Sequence, residues 1–255
     1  MTISFHNKVV IVTGGTSGIG KASAIQFLES NGTVIVLGRI KEKIEKELTQ
    51  HKEKLHFYRC DLSDHQEIKA TFQKIKKKFK TVDVLVNNAG IQTYGNVLDT
   101  DEKLWDQTLT INLKSFFLCT KYVLPLMSDS ISPVIINIGS AQGFVSQKNV
   151  TVYATSKEAI HGLTRSTAID FAPKVRCLAI CPGAVDTPML ETDIAKYEDR
   201  QSILEETKKI HLLERIAKAD EIANFITFLA SDKAGFATGH TYRVDGGIGL
   251  KIEGT

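Results

Sequence analysis

Val9-Val-Ile-Val-Thr13 runs directly into Gly14-Gly-Thr-Ser-Gly-Ile-Gly20, and an amphipathic stretch from Ile19 to Ser30 follows. A β-branched strand, a glycine turn and a helix, in that order, form the first unit of an α/β sheet. The arrangement aims backbone N–H groups and a helix N-terminus at a pyrophosphate. Gly14 permits the tight turn, Gly18 lets the backbone approach phosphates, and Gly20 allows the helix to pack closely on the strand. The spacing is G-x-x-x-G-x-G, not the commoner G-x-G-x-x-G. Taken alone, three glycines in a turn can also serve packing only.

The same alternation continues along the chain. Candidate strands are Val9–Thr13, Val34–Leu37, Leu55–Arg59, Val82–Val86, Val134–Ile138, Val175–Ile180 and Thr241–Val244. Their cores are apolar throughout, which suits a parallel sheet covered on both faces. Helical stretches lie between them: Ile19–Ser30, Glu42–Gln50, Asp64–Phe79, Glu102–Met127, Val152–Phe171 and Asp220–Ala230. The reading is one doubly wound α/β domain over residues 1–255, a seven-stranded parallel sheet with helices on both faces. The segment Pro182–Arg215 contains no predicted strand. It reads as a lid over a site, or as two surface helices. Lys74-Ile-Lys-Lys-Lys-Phe-Lys80 reads as the solvated face of a helix that buries Ile68, Phe72, Ile75 and Phe79.

Composition narrows the function. Of 255 residues, 42% are hydrophobic and 24% charged, with 18 Gly and 5 Pro, so disordered and collagen-like chains are excluded. A net charge of +3 is too slight a basic excess for a nucleic-acid binder. Apolar runs are strand-length, so no membrane span is expected. Met1–Lys8 lacks the order of a signal peptide, which predicts a cytoplasmic protein. The four cysteines, at 60, 119, 177 and 181, have no partners at zinc-ligand spacing and read as reduced, buried thiols. No metal site is expected.

Ligands of such sheets bind beyond the carboxyl ends of the strands, and several polar segments fall there. The second strand ends in Leu37-Gly38-Arg39, where an acidic residue would hold the ribose hydroxyls of NAD. Gly38 leaves room and Arg39 supplies a guanidinium that suits the 2′-phosphate of NADP; a plain surface arginine starting a helix is the alternative. Asp61-Leu62 follows the third strand, and Asn87-Asn88-Ala89-Gly90 the fourth. NADP is the expected cofactor, with NAD possible. Ser140 follows the fifth strand, and Tyr153-Ala-Thr-Ser-Lys157 opens a helix. Tyr153 and Lys157 share a helix face. Moving a phenol by roughly three pH units toward neutrality takes about 4 kcal/mol, which Lys157 and an oxidised nicotinamide can supply together in a dry cleft.

Thr13–Gly20, Asp61, Asn87–Gly90, Asn112, Ser140, Tyr153 with Lys157, Pro182-Gly183 with Thr187, Thr238-Gly239 and Val244-Asp-Gly-Gly247 occur in this order. Together they closely resemble the classical short-chain dehydrogenase/reductase family, of Rossmann-type fold. The resemblance implies a nicotinamide-dependent oxidoreductase that assembles as a homotetramer. It implies that Tyr153 exchanges a proton with the substrate oxygen and Ser140 hydrogen-bonds that oxygen. Lys157 would lower the phenol pKa and hold the nicotinamide ribose, and Asn112 would anchor a water in a proton relay. Gly14, Thr16, Ser17, Gly18, Ile19, Gly20, Asp61, Leu62, Asn88, Ala89, Gly90, Pro182, Gly183, Val185 and Thr187 would contact the cofactor. Gly139 stands where many relatives carry a second serine.

Within the family the chain is most similar to microbial, especially archaeal, sugar 1-dehydrogenases. Val86–Gly95, Gln147-Lys-Asn149, Ala172-Pro173, Arg176-Cys177 and Val185-Asp-Thr-Pro188 carry this likeness and are expected to surround the substrate cleft. Relatives acting on glucose or mannose tend to have Glu where this chain has Gln92. Gln92, Gln142 and Asn149, with Ser140 and Tyr153, are the expected contacts of a small-molecule substrate, a sugar. Tyr94 and Gln147 add to the polar inventory; Gln147 reads equally well as a solvent-facing loop residue. The alternatives are a 3-ketoacyl (acyl-carrier) reductase and an NAD(P)-sensing protein without turnover.

Overall fold

The computed structural model describes residues 3–250; residues 1–2 and 251–255 of the expected domain lie outside it. Seven parallel strands form the main sheet: β1 (Val9–Thr13), β2 (Thr33–Gly38), β3 (Leu55–Arg59), β4 (Val84–Asn87), β5 (Val134–Ile138), β6 (Arg176–Pro182) and β9 (Thr241–Val244). Their order is β3-β2-β1-β4-β5-β6-β9. The chain reverses direction of travel between β1 and β4, which opens the crevice where such sheets take ligands. In register, Val10, Ile11 and Val12 face Val34, Ile35 and Val36 on one side and Val84, Leu85 and Val86 on the other.

Alternate residues of each strand enter separate cores. Val10, Val12, Val34, Val36, Val84, Val86, Val134 and Ile136 pack beneath α1 (Gly18–Glu29) and α9 (Ala219–Ala230). Ile11, Ile35, Leu37, Leu85, Ile135 and Cys177 pack on the opposite face, with α3 (His65–Lys78) and α5 (Ser115–Val123). With both faces covered, both parities of strand residue are mostly apolar, hence the long apolar runs; the buried polar exceptions, such as Asn87 and Asn137, are hydrogen-bonded. α3 buries Ile68, Phe72 and Ile75 and leaves its lysines exposed. Asp64 caps it by accepting from the amides of Gln66 and Glu67. All four cysteines are free and buried.

Most element boundaries lie within two residues of expectation, but three readings need correction. The stretch 102–127 is not one helix. α4 (Glu102–Leu109) passes through a π turn at Thr110–Lys114 into α5, and a 3-10 turn at Leu124–Leu126 ends it around Pro125. The proline cannot continue the α-helical hydrogen-bond ladder. Second, Glu42–Gln50 begins as a 3-10 turn and becomes α2 only at Glu45–Gln50. Third, the segment 182–215 does contain strand. β6 runs through Pro182, and β7 (Val185–Asp186) pairs in parallel with β8 (Ala217–Lys218). This bridge pins both ends of a pair of helices, α7 (Pro188–Ile194) and α8 (Arg200–Lys209). Among the described residues no helix is long and apolar enough to cross a membrane, and no cluster of His, Cys, Asp or Glu is fit to hold a metal.

Arg176 and Cys177, with Ala172-Pro173, do not surround the cleft. They sit at the start of β6, the end of the strand opposite to the cavity described below. The buried Arg176 guanidinium donates to the carbonyls of Leu229, Ser231, Ala234 and Ala237 at 3.0–3.3 Å. It therefore gathers the C-terminal end of α9 and the turn after it. Arg176→Leu removes all four donations to these carbonyls, of which Ser231 and Ala234 keep a backbone partner, so unfolding stability should fall by about 2–4 kcal/mol. Denaturant titration measures the loss, while Michaelis constants of the surviving folded enzyme should stay within about twofold. A variant as stable as the parent would show that water replaces the guanidinium.

Candidate active site

The C-terminal ends of β1 to β6 open into one cavity of about 630 Å³. At its first wall, Gly14 and Gly18 have φ of +64° and +50°, in the left-handed region that favours glycine. Ser17, at the N-cap of α1, makes no side-chain cap bond, and the first turn carries no acidic residue. The leading N–H groups of α1 are thus left for an anionic ligand. Thr16, Ser17, Gly18 and Ile19 line this wall. Gly20 does not; a Cβ there would stand 2.4 Å from both Asn88 Nδ2 and the Gly14 carbonyl oxygen, so it serves helix–turn packing.

Thr13 fastens this turn to the end of β4. Its Oγ1 accepts from the amides of Asn88 and Ala89 at 2.9 and 3.1 Å, and Asn88 Nδ2 donates to the Thr13 carbonyl at 3.0 Å. Gly38 faces Thr16 so closely that a Cβ would meet its Cγ2 at 2.7 Å. An acidic side chain at that point has no room. Arg39, exposed, lines the cavity beside Lys43, Asp61 and Leu62. Asp61 is held below the usual carboxylate range, first by the Ser63 amide and hydroxyl at 2.9 and 2.7 Å and then by the charges of Arg39 and Arg59. The glycine turn and the open helix end fit the pyrophosphate of a dinucleotide.

Deeper in, α6 (Thr151–Phe171) carries Tyr153 and Lys157, both buried and both lining the cavity. Lys157 Nζ donates to the Ile138 carbonyl at 3.1 Å and lies 5.7 Å from the centre of the Tyr153 ring. Burial pulls Lys157 down to about 8. Burial likewise pushes Tyr153 up to about 12, against the opposing pull of a hydrogen bond with the Ser140 hydroxyl. In the protein by itself desolvation therefore outweighs the Ser140 hydrogen bond, and the phenolate needs a positive charge beside it. Ser140 Oγ also accepts the Gln142 amide at 3.1 Å, capping the turn Ala141–Gly143. The cap and the hydroxyl aimed at Tyr153 belong to the same side chain.

Asn112 lies behind the cavity, not in its lining. Its side chain clamps Ile91, accepting from the amide and donating to the carbonyl, both at 2.9 Å, and it donates to Ser156 Oγ at 3.1 Å. The π turn that holds it supplies no helical signature in sequence. Gly90 fits above it, 3.3 Å being all that a Cβ would have from Asn112 Oδ1. Pro182, Gly183, Val185 and Thr187 line the far wall.

Gln92, Tyr94, Gln142 and Gln147 line the outer end. Gln92 Nε2 donates to the Tyr94 hydroxyl at 2.7 Å, and Gln142 Oε1 is buried with no partner. Asn149 lies outside the lining. It is an exposed turn residue with φ of +61°, and its carbonyl accepts the Gly95 amide at 2.8 Å. The helical pair of the 182–215 segment covers this end with Met189, Leu190, Asp193, Ile194, Tyr197 and Glu206.

Asp193 is the main residue that the sequence reading missed. Its buried carboxylate hydrogen-bonds with Tyr94, pairs with Lys196 at 2.8 Å, and its charge pushes the Tyr94 and Tyr153 phenols upward. The signal was the spacing of Met189, Leu190, Asp193 and Ile194, one face of α7.

An enoyl-(acyl carrier protein) reductase family model matches residues 14–249. Dehydrogenase/reductase SDR family member 6 of Aquarana catesbeiana is 38% identical over 245 residues, covering 95% of this chain and 98% of that protein. A 3-oxoacyl-(acyl-carrier-protein) reductase of Thermotoga maritima is 34% identical over 247 residues, covering 95% and 98%. The ligand-free aldohexose dehydrogenase structure of Thermoplasma acidophilum superimposes with a TM-score of 0.91 at 35% identity, over 99% of this chain and 98% of that one. Cofactor wall, buried Tyr–Lys pair and full-length likeness agree: the chain belongs to the short-chain dehydrogenase/reductase family, oxidoreductases that pass hydride between NAD(H) or NADP(H) and a small molecule.

Proposed function

We propose that the protein oxidises the C1 hydroxyl of an aldose to the lactone, with NADP⁺ as hydride acceptor. The observation that carries the substrate reading is the polar outer end of the cavity. Gln92, Tyr94, Gln142 and Asp193 all line it there. A polyhydroxylated ring can exchange hydrogen bonds with these side chains, which an acyl chain cannot. The Thermoplasma acidophilum aldohexose dehydrogenase adds support, at 35% identity over nearly the whole chain.

The bound cofactor supplies the hydride-accepting ring and, when oxidised, its positive charge. Arg39 and Lys43 hold its 2′-phosphate, the glycine turn and the head of α1 its pyrophosphate, and Asp61 and Leu62 its adenine end. Tyr153 removes the C1 hydroxyl proton, and Ser140 donates to the oxygen as charge develops on it. Lys157 stabilises the phenolate, and Asn112 keeps the Ile91 backbone in place beneath it. α7 and α8 exclude water from above. An aldose panel and a 3-ketoacyl thioester, each assayed with both cofactors by absorbance of the reduced nicotinamide, test the reading. Turnover of the thioester with no aldose oxidised would overturn it.

Tyr153→Phe should lower the oxidation rate by about 10²–10⁴-fold, the range of a lost general base. Cofactor binding, read by fluorescence titration, should stay within a few-fold. In the parent enzyme, oxidation should accelerate with rising pH because the phenol is pushed up to about 12 and only its deprotonated form takes the proton. Reduction, which needs the protonated phenol, should run the opposite way. A flat oxidation profile would remove Tyr153 from the rate-limiting step.

Arg39→Ala should raise the Michaelis constant for NADP⁺ about ten- to a hundredfold, the worth of one charge-assisted contact. The constant for NAD⁺ should hardly change. Equal effects on both cofactors would show that Arg39 does not read the phosphate.

Gln92→Ala and Asp193→Asn should each compress the ratio of kcat/KM between epimeric aldoses by about tenfold while leaving the cofactor constant intact. Selectivity preserved in both variants would place the sugar elsewhere in the cavity.

A further inference from the structure

Ser140 is presented by the turn from Gly139 to Phe144, and this turn rests on two buried side chains that the reaction does not use. Cys181, from β6, is fully buried and lies with its Sγ 3.3 Å from His161 Nε2 of α6. The backbone amide of Ser140 is directed at the same sulfur. A Cβ at Gly139 would stand 2.4 Å from Cys181 Sγ, and one at Gly143 would stand 2.9 Å from His161 Cε1. Gly139 is not among the residues with positive φ, so its backbone does not call for glycine; the sulfur does. On the far side, the His161 ring packs on Phe144 with centroids 4.6 Å apart, closing the turn from below.

We infer that Cys181 is a positioning residue: its sulfur, steadied by His161, fills the space beneath the serine turn and sets where the Ser140 hydroxyl stands in the cavity. Gly139 and Cys181 then form a size-exchange pair. A side chain can be accommodated at 139 only when 181 gives up its third-row atom, and a small residue at 181 lets the turn sink when 139 stays glycine. A displacement on the order of 1 Å at such a group can cost roughly a hundredfold in rate. The inference rests on Ser140 acting in the proposed oxidoreduction, but not on the identity of the sugar, so any alcohol that turns over serves the assay.

The test is a double-mutant cycle on the full chain. Gly139→Ala should lower kcat by roughly ten- to a hundredfold with the cofactor Michaelis constant within about twofold. Cys181→Ala should lower kcat less, and Cys181→Ser, which keeps an acceptor under the Ser140 amide, should stay nearer the parent. The Gly139→Ala/Cys181→Ala double variant should exceed Gly139→Ala alone in kcat by about tenfold. If Gly139→Ala is insoluble, recovery of soluble, active protein in the double variant gives the same result. Single effects that simply multiply, a fully active Gly139→Ala, or a double variant as insoluble as the single would each overturn the inference. A Ser140→Ala variant as active as the parent would instead remove Ser140 itself from the mechanism.

Discussion

The tie between Lys157 and the Ile138 carbonyl, 3.1 Å long and buried, is the interaction on which the rest of the site hangs. Ile138 ends β5, and Ser140 follows two residues later, so the tie joins the helix bearing the phenol to the strand bearing the hydroxyl. Tyr153 and Ser140 consequently belong to one rigid frame, as catalytic geometry demands. The same burial sets the electrostatics. An ammonium removed from water is drawn toward its neutral form and a phenol toward its protonated form, and both shifts are seen here. The dry pocket thus disfavours both charges individually and rewards their coexistence, which is the condition for proton transfer inside it.

Beneath that frame lies a polar layer within the sheet. Asn87 Nδ2 donates to Asn137 Oδ1 at 2.9 Å, and Asn137 Nδ2 donates to Thr164 Oγ1 at 3.0 Å. These bonds link β4, β5 and α6 below the reacting groups. Polar side chains in an otherwise apolar sheet favour this register, since a slip would break the Asn87–Asn137 and Asn137–Thr164 bonds. Strand order places the ligand, and this network fixes the height at which its neighbours stand.

Much of this was legible in sequence because the rules involved are short-range. Val9–Thr13 and Val134–Ile138 read as strands since both of their faces must be apolar, and Gly14 and Gly18 read as turn residues since the chain needs positive φ there. Tyr153 and Lys157 were legible from helical spacing together with their order among the other motifs. The misses depend on distant partners. Arg176 looked like part of a cleft motif, yet its four carbonyl partners lie more than fifty residues on. Asn149 carries a suitable amide, but the left-handed turn it occupies points its usefulness toward the Gly95 backbone. The π turn at Asn112 arises from hydrogen bonds to Ile91 across the chain, and no local periodicity announces it. Asp193 was hidden because the 182–215 segment was read as a lid or as two surface helices, without asking which residues of a helix there would face the cavity.

Charge is unevenly spread along the cavity, with Asp61 beside the cations at one end and Lys196 paired to Asp193 at the other. Arg39 and Lys43 stand at the end of β2, while Asp193 and Glu206 stand under the covering helices. A dinucleotide with a 2′-phosphate entering the wrong way round would bring that terminal phosphate toward the carboxylates and its nicotinamide end toward arginine. Repulsion of this kind discriminates by penalising the wrong pose, without needing any further contact in the right one. An uneven distribution of charge along a groove thus bears on the polarity with which a ligand charged at one end is inserted, as well as on how tightly it is held.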